Sequence, residues 1–241
     1  MLKAIISDIH GNIPAFLAVL DDISSLGSVE VFCAGDIVGY GSSPRECLDI
    51  VREKAIESVM GNHDAASVGM TDITSFNEWA KEAVRWTGEQ LEDADRRFLE
   101  GLPYVIGKEG FTMAHGTLHR PEEFMYMMDI SDAAETFRVL DSKVCFVGHS
   151  HVPGVFAMKG NSIRAEFKKN MSFDPDANYI VNVGSVGQPR DGDPRACYCL
   201  FDPEKQKAEF RRVEYDVRSA REGILRAALP RELGDRLLTG R

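Results

Sequence analysis

The sequence predicts an α/β fold, and three observations support that prediction. Apolar, strand-like runs alternate with helical patterns over the first 60 residues, the order expected of a parallel sheet with covering helices. From Gly154 the pattern changes to short alternating segments with turn signals, which favours antiparallel strands up to about Val213. No internal repeat or low-complexity linker interrupts the chain, so we expect one domain over residues 1–241.

The first five elements form a strand–helix–strand–helix–strand series. The apolar run 2–7 predicts a buried strand, and the helix after it has Asn12 as its cap and Pro14 in its first turn. Further strands are predicted at 29–34 and 57–60. Between them, Ser43-Pro44-Arg45-Glu46 combines a capping box with proline at the first helical position, which predicts a helix to about Lys54.

Residues from about 65 to 105 are expected to form a small helical insertion. The capping-box pattern Ser75-Phe76-Asn77-Glu78 starts a helix that carries Trp79 and Trp86 on one face and ends at Gly88. A second helix is predicted at 92–100. We expect the two tryptophans to pack the insertion onto the body of the protein rather than to stack on a substrate.

The remaining elements are shorter. Strands are predicted at 104–106, 111–115 and 143–147, with a helix at 131–141 before the last of them. The tail, about 216–241, is expected to be helical and polar. Its leucines recur every four residues and are expected to lie in the core; they are Leu225, Leu229, Leu233 and Leu237.

Composition and charge limit the possible functions. The formal net charge of -10 argues against binding to long nucleic acid or to an anionic membrane through a basic face. No apolar run approaches the ~20 residues that span a bilayer, and the first carboxylate comes too early for a signal peptide. Five cysteines are an odd count that does not make a disulfide framework, so we expect packed thiols and a cytoplasmic location.

Polar motifs stand at the ends of the predicted strands, and five of the six histidines fall in them. Twenty-five residues separate His10 from Asp36, and another twenty-five separate Asp36 from Asn62. A strand with its crossover helix takes about that length, so these groups should meet at the carboxyl edge of adjacent strands. The full series is Asp8-Ile9-His10, Gly35-Asp36, Gly61-Asn62-His63-Asp64, His115-Gly116 and Gly148-His149-Ser150-His151.

These residue types point to metal chemistry. Two carboxylates, one amide and four imidazoles suit divalent transition metals such as manganese, iron, zinc or cobalt. Seven ligands exceed one tetrahedral site and suffice for two ions that share a bridging carboxylate. Two ions about 3.5–4 Å apart stabilise both the attacking and the leaving oxygen of an in-line displacement at phosphorus and hold a hydroxide. His63 is then the spare residue, placed to protonate the leaving group.

The motif series resembles the calcineurin-like metallophosphoesterases over roughly residues 1–190, and the small single-domain bacterial members look most similar. The resemblance implies two packed β-sheets flanked by helices, in four layers. It also implies that Asp8, His10, Asp36 and His151 hold one metal, with Asp36 bridging to a second held by Asn62, His115 and His149. His63 would be the general acid. Manganese is the expected metal, with iron, zinc, nickel or cobalt as the other options.

The sequence departs from the family at one place. Protein-phosphatase members follow Gly-Asp with an Asp-Arg pair, whereas this chain has Gly39 and Tyr40 there. A phosphoprotein substrate is therefore disfavoured, and the cation that binds phosphate is unassigned. Arg190, at the end of the glycine-rich loop 184–190, is our candidate for it; the residue that orients His63 has no candidate.

The leading hypothesis is a phosphodiesterase that acts on a small or nucleotide-type phosphoester. A phosphomonoesterase or a dinucleoside-polyphosphate hydrolase would need the same site. The alternative from another class is a non-catalytic metal-binding scaffold. Asp64 is expected to accept hydrogen bonds rather than to bind metal, and His119 is expected to lie in a loop.

Overall fold

The computed structural model describes residues 1–241 and contains two six-stranded mixed sheets flanked by helices. The strands are β1 (Leu2–Ile6), β2 (Val29–Cys33), β3 (Glu57–Ser58), β4 (Val105–Lys108), β5 (Phe111–Ala114), β6 (Val144–Val147), β7 (Gly154–Lys159), β8 (Ser162–Glu166), β9 (Asn170–Ser172), β10 (Ala177–Asn182), β11 (Ala196–Asp202) and β12 (Lys207–Val213). The helices are α1 (Ile13–Ser25), α2 (Pro44–Glu53), α3 (Asn62–Ser67), α4 (Glu78–Gln90), α5 (Asp93–Glu100), α6 (Ile130–Val139), α7 (Val217–Arg226) and α8 (Arg231–Asp235). Short 3-10 turns lie at Pro121–Glu123 and Arg236–Leu238.

The strand order explains where the polar motifs meet. One sheet runs β3-β2-β1-β11-β12-β9 and the other β4-β5-β6-β10-β7-β8. The strands β1, β2 and β3 are parallel neighbours, and so are β5, β6 and β10. Asp8, Asp36 and Asn62 therefore follow adjacent parallel strands of one sheet, while His115 and His149 follow adjacent strands of the other. The predicted α/β class with two packed sheets is confirmed.

Alternation along the strands builds the core. In β1, Ile5 faces the second sheet, where it packs in a buried cluster with Phe111 and Phe146, while Ala4 and Ile6 face the helices α1 and α2. This is the two-residue period of a strand buried on both faces. All five cysteines are buried and unpaired, as their sequence positions predicted. None of the helices combines the length and the apolar composition that a membrane span requires.

Several sequence predictions about helix ends were wrong. The helix α2 begins at Pro44 with Ser43 as its cap, as predicted, but the Ser43 side chain makes no capping hydrogen bond. The helix α4 begins at Glu78 with Asn77 as its cap, because the Asn77 side chain accepts from the Ala80 N–H at 2.9 Å. It also continues past Gly88, the predicted end, to Gln90. A Cβ at Gly88 would lie 2.9 Å from the Ser67 carbonyl oxygen, so this glycine allows α4 to pack closely against Ser67 and does not end the helix.

The tail is not one helix. The helix α7 ends at Arg226, and α8 begins after Pro230, which cannot continue the preceding turns. Because the helix is interrupted, the four leucines do not lie on one helix face. Leu229, Leu233 and Leu237 are buried, whereas Leu225 is 38% exposed, so the prediction of four core leucines was wrong at that position. In the insertion, Trp86 packs against a cluster that includes Ala83 and Tyr40, while Trp79 is 44% exposed.

Candidate functional site

The polar residues that follow the parallel strands form one buried cluster. Asp8, His10, Asp36 and His151 present ligand atoms that all lie within 4.8 Å of one another. Asp36, His115 and His149 form a second group by the same measure, so Asp36 belongs to both. Asn62 adjoins the second group, since its Oδ1 lies 3.1 Å from Nε2 of His115. The structure thus brings together all seven side chains that the sequence singled out.

Imidazole nitrogens face one another within this cluster. Nδ1 of His10, His115 and His151 each lies within hydrogen-bond distance of a backbone carbonyl, those of Val38, Ala34 and Gln188. Donation of a proton there leaves each Nε2 with a lone pair that points into the cluster. Nε2 of His10 and Nε2 of His151 are nevertheless only 3.1 Å apart. Two lone pairs at that distance repel each other, and a cation bound by both nitrogens would relieve the repulsion.

Two further buried atoms lack a hydrogen-bond partner, and a bound cation would take the place of one. Oδ2 of Asp36 and Nε2 of His149 are buried and accept no hydrogen bond. A buried carboxylate oxygen without a partner is costly, and buried charges in proteins are paired or coordinate metals. Nitrogen and oxygen donors in this mixture fit a divalent transition metal. The residues present therefore fit a metal ion.

The backbone of five of these residues is left-handed. Asp8, His10, Asp36, His149 and His151 have φ values of 53°, 51°, 55°, 66° and 60°. Non-glycine residues rarely adopt this region, and each instance costs roughly 1–3 kcal/mol that the surrounding structure must offset. Such strain concentrated on one cluster is typical of a functional site.

Two glycines of the motifs leave room for the carboxylates. A Cβ on Gly61 would lie 2.0 Å from Oδ1 of Asp36, and a Cβ on Gly148 would lie 2.4 Å from Oδ2 of Asp8. No real Cβ contact is that short, so any other residue would displace the carboxylate. Gly61 and Gly148 therefore make space for the carboxylates of Asp36 and Asp8 and do not only form turns.

Burial and the neighbouring charges shift the pKa values of the cluster residues in opposite directions. Burial lowers the pKa of His10 and of His149 well below the ordinary value. Burial also works to raise the pKa of Asp36, but the neighbouring His115 and His63 outweigh it and hold the pKa well below the usual range. Asp36 is consequently a carboxylate, and His10 and His149 are neutral, which are states that bind a metal. Burial works to lower the pKa of His115, but the charge of Asp36 outweighs it and raises that pKa to about 9, so a metal at His115 would replace a proton.

His63 lies beside the cluster rather than within it. Its backbone N–H donates to Oδ1 of Asp36 at 2.8 Å. Its ring lies between Tyr40 and Phe76, with centroid distances of 4.3 and 5.1 Å, and its Nδ1 has no hydrogen-bond partner. The rings of Tyr40 and Phe76 fix its orientation, and no carboxylate does so. Asp64 accepts from the N–H groups of Val38 and Gly61 at 3.1 and 3.0 Å and so joins two loops.

A cleft of about 400 Å³ opens onto the cluster. His63, Asn62 and His149 form part of its wall. The insertion and the loop before α6 supply most of the rest, which consists of Thr71, Asp72, Ser75, Phe76, Asn77, Ala80, Glu123, Phe124 and Tyr126, with Tyr40 completing it.

Arg190 contacts Tyr40, which forms part of the wall of this cleft. Its guanidinium donates to Oε1 of Gln188 at 2.8 Å and to the Tyr40 hydroxyl at 3.3 Å, and no carboxylate lies within 4.0 Å of it. The glycine-rich loop approaches the cluster as its sequence suggested, because the Gly187 N–H donates to the carbonyl of Asp8 at 2.8 Å. His119 lies outside both ligand groups.

Sequence reasoning missed two residues of the site. The Tyr126 ring stacks on His149 at 3.8 Å with an 18° interplanar angle, and nothing in its loop sequence signals this contact. Asn182 donates to the carbonyl of Gly148 at 2.6 Å and thereby holds the turn that carries His149. Its position at the end of an apolar strand, like that of Asp8, was the available signal.

The fold and the site define a metal-dependent hydrolase, and comparisons with known proteins give its family. The chain belongs to the calcineurin-like phosphoesterase superfamily, whose family model matches residues 1–206. It is therefore a phosphoesterase, a hydrolase of phosphoric ester bonds. The predicted family and the prediction of an enzyme are confirmed.

Relatives of this chain match it over nearly its whole length. It is 42% identical to an uncharacterized protein of Methanocaldococcus jannaschii over 244 aligned positions, which cover 99% of this chain and 98% of the relative. A metallophosphoesterase from Sphaerobacter thermophilus has 38% identity and a TM-score of 0.86, with 100% and 99% of the two chains covered. A hypothetical protein of Pyrococcus horikoshii, at 24% identity and a TM-score of 0.82, shares the fold over 100% and 98% of the chains.

Proposed function

We propose that this protein is a dinuclear metal-dependent phosphodiesterase that acts on a small or nucleotide-type substrate. The observation that carries the proposal is the pair of ligand groups that share Asp36. In this proposal Asp8, His10, Asp36 and His151 hold one ion, and Asp36, Asn62, His115 and His149 hold the other. Manganese is the first choice, and iron, zinc, nickel and cobalt suit the same donors.

Bound ions would neutralise charge on the phosphoryl oxygens and supply the nucleophilic oxygen at neutral pH. The protein's own contribution begins with orientation. The imidazoles of three histidines are oriented by backbone carbonyls next to their Nδ1 atoms, so that their Nε2 atoms point into the cluster. The pairs are His10 with Val38, His115 with Ala34, and His151 with Gln188. Arg190 is proposed to donate hydrogen bonds to the non-bridging oxygens, because it faces no competing carboxylate.

His63 is proposed to protonate the leaving oxygen. It forms part of the cleft wall and is tied to Asp36 through its backbone, which supports a position beside the scissile bond. In the free protein burial lowers the pKa of His63 to about 4, with Asp36 opposing this effect and Arg190 adding to it. The leaving oxygen gains negative charge as its bond to phosphorus breaks. His63 must therefore hold its proton before that step, and the negative charge of a bound phosphodiester beside its ring would raise its pKa and favour the protonated form.

The cleft favours a diester over a polyphosphate. Asp72 and Glu123 form part of its wall beside the aromatic rings of Phe76 and Tyr126. Carboxylates in the wall of the cleft repel additional phosphate groups, whereas a diester carries a single negative charge. A dinucleoside polyphosphate is therefore the weaker alternative. The free cysteines support a reducing cytoplasmic compartment, and the net charge supports a small substrate rather than long nucleic acid.

The experiment compares hydrolysis of bis(p-nitrophenyl) phosphate with that of p-nitrophenyl phosphate. Metal-stripped protein is refilled with manganese, and metal content is measured on the same samples. We expect two ions per chain and a preference for the diester. A preference for the monoester would move the proposal to a phosphomonoesterase. Two bound ions with no turnover on any phosphoester would favour a metal-binding scaffold instead.

A further inference from the structure

The loop between β5 and α6, residues 115–129, places Tyr126 in the wall of the proposed substrate cleft. The Tyr126 ring stacks on the imidazole of His149, with the ring centroids 3.8 Å apart and an angle of 18° between the planes. Even so, 48% of Tyr126 is exposed. Since one face of the ring covers His149, which also belongs to the cleft wall, the exposed surface of the ring borders the cleft. An aromatic ring beside the metal-binding cluster is thus available to a ligand.

Buried neighbours in the same loop fix the position of Tyr126. Phe124 is buried and packs in a cluster with Met60 and Ala65. Met127, on the other side of Tyr126, is buried in a cluster with residues of α6. These two anchors lie only one and two residues from Tyr126, so they leave its backbone little freedom. A ring that is held in place before a ligand arrives loses little conformational entropy on binding.

The backbone of this loop is strained where it meets the cluster. Arg120 and Phe124 have φ values of 49° and 50°, in the left-handed region that bulky residues rarely adopt. The loop also packs tightly on the strand-end motif, because a Cβ on Gly116 would lie 2.5 Å from the carbonyl oxygen of Met125. Strained backbone persists where the surrounding structure requires it and is concentrated at ligand-binding sites. The strain here accompanies the placement of Tyr126 on a proposed metal ligand.

The position of Tyr126 relative to the proposed acid indicates which part of a substrate it would contact. The ring of His63 lies between Tyr40 and Phe76, whereas Tyr126 covers His149. The acid and the exposed ring therefore belong to different parts of the cleft wall. In the proposed mechanism the leaving oxygen lies beside His63, so Tyr126 is placed to contact the group that stays on phosphorus.

We propose that Tyr126 stacks on a planar aromatic group, a nucleobase or an aryl ring, in the substituent that stays on phosphorus. Aromatic rings pair favourably in offset-stacked arrangements, and bases stack on exposed aromatic side chains in many nucleic-acid-binding proteins. An uncharged ring also suits a cleft wall that contains Asp72 and Glu123. The inference rests on the proposed phosphodiesterase function and narrows its substrate class to diesters that retain an aromatic substituent.

The test uses three diesters that share p-nitrophenol as leaving group and differ only in the retained group. They are methyl p-nitrophenyl phosphate, phenyl p-nitrophenyl phosphate and p-nitrophenyl thymidine 5′-phosphate. In the manganese-loaded enzyme we expect Tyr126→Ala to raise KM for the phenyl ester, the thymidine ester or both about tenfold, and to change KM for the methyl ester less than about twofold. Tyr126→Phe keeps the ring and should match the wild type. So should the matched control Met125→Ala, whose side chain is exposed in the same loop but does not form part of the cleft wall.

The pattern of losses decides the outcome. A higher KM for the thymidine ester alone would identify a nucleobase as the stacked group, and a higher KM for the phenyl ester alone would identify an aryl ring. An equal rise for all three esters would overturn the proposal, because it would show that Tyr126 acts through His149 and the metals. Unchanged KM values for all three esters in Tyr126→Ala would overturn it as well.

A second readout does not require turnover. Thymidine and phenol, which carry no phosphate, are added to the zinc-loaded proteins, and saturation-transfer NMR measures contact of their ring protons with the protein. We expect wild type, Tyr126→Phe and Met125→Ala to give equal transfer to at least one of the two compounds, and Tyr126→Ala to lose most of it. Equal transfer to both compounds in wild type and Tyr126→Ala would contradict the stacking role. A wild type without phosphoesterase activity would refute the proposed function, while this measurement would still decide the role of Tyr126.

Discussion

The backbone N–H of His63 donates to Oδ1 of Asp36 at 2.8 Å, so the proposed acid is attached to the proposed bridging ligand. The bond uses one carboxylate oxygen and leaves Oδ2 without a partner. One oxygen of Asp36, Oδ1, therefore holds the backbone of His63, while the other, Oδ2, is free to bind a metal. Substitutions at these two positions should consequently separate metal binding from proton transfer.

Asp36→Asn should remove paired metal binding and activity together. The amide keeps an acceptor for the His63 N–H but lacks the charge that two cations need. We expect fewer than two ions per chain by elemental analysis and a fall in kcat/KM of more than about 100-fold. Asp21→Asn, at an exposed position of α1, is the control and should behave as wild type. Full metal content in Asp36→Asn would contradict the bridging role.

His63→Ala should keep two ions but slow turnover. General acids contribute about 100-fold or more where the leaving group needs a proton. We expect that loss on an alkyl phosphodiester and a loss of about tenfold or less on the p-nitrophenyl ester, whose leaving group needs little protonation. His119→Ala is the matched control, because that histidine lies outside the ligand groups. Wild-type rates of His63→Ala on the alkyl ester would rule out the acid role.

Asp64→Ala should destabilise the fold. Its carboxyl accepts the N–H groups of Val38 and Gly61, and both would be left buried without a partner. We expect a loss of about 2–4 kcal/mol in the free energy of unfolding, measured by urea denaturation of metal-free protein. Asp49→Ala, which removes an exposed i,i+3 pair with Arg52, should cost less than about 0.5 kcal/mol. Equal losses in the two variants would contradict this structural role.

The pair Asp22–Arg211 should contribute pH-dependent stability. Arg211 donates two hydrogen bonds to Asp22, at 2.8 and 2.9 Å, and Tyr198 donates a third at 2.7 Å. The hydrogen bonds from Arg211, followed by that from Tyr198, lower the pKa of Asp22 in the folded protein against an opposing effect of burial. A lowered pKa gives stability that is present above the unfolded value of about 3.9 and is lost as pH falls through the folded value.

Asp22→Asn should therefore lower the free energy of unfolding at pH 7 by about 1 kcal/mol, a figure reduced for partial solvent screening. The difference from wild type should shrink as the pH is lowered below about 4, and it should be smaller in high salt. Denaturation curves at several pH values measure it. A difference that stayed constant down to pH 2 would show that the carboxylate charge is not the cause.

The strand ends could be read from the sequence because each is marked by an apolar run followed by a polar residue. The spacing of His10, Asp36 and Asn62 then placed them on adjacent strands without knowledge of side-chain positions. The helix start at Ser75 was misjudged because Ser75 and Asn77 are both capping residues, and the local pattern does not decide between them. Tyr126 could not be found, since its ring reaches His149 through loop packing that depends on the whole fold.

The left-handed backbone of five of the proposed ligands would separate folding from metal loading. Since the loops at the strand ends already hold these residues in position, an arriving ion would not need to gather them. The strain belongs to the polypeptide and is the same whichever ion enters. One gene product could then exist in a cell as several metalloforms, in proportions that follow the free concentrations of manganese, iron and zinc. Its catalytic output would vary with nutrition while the amount of protein stayed constant.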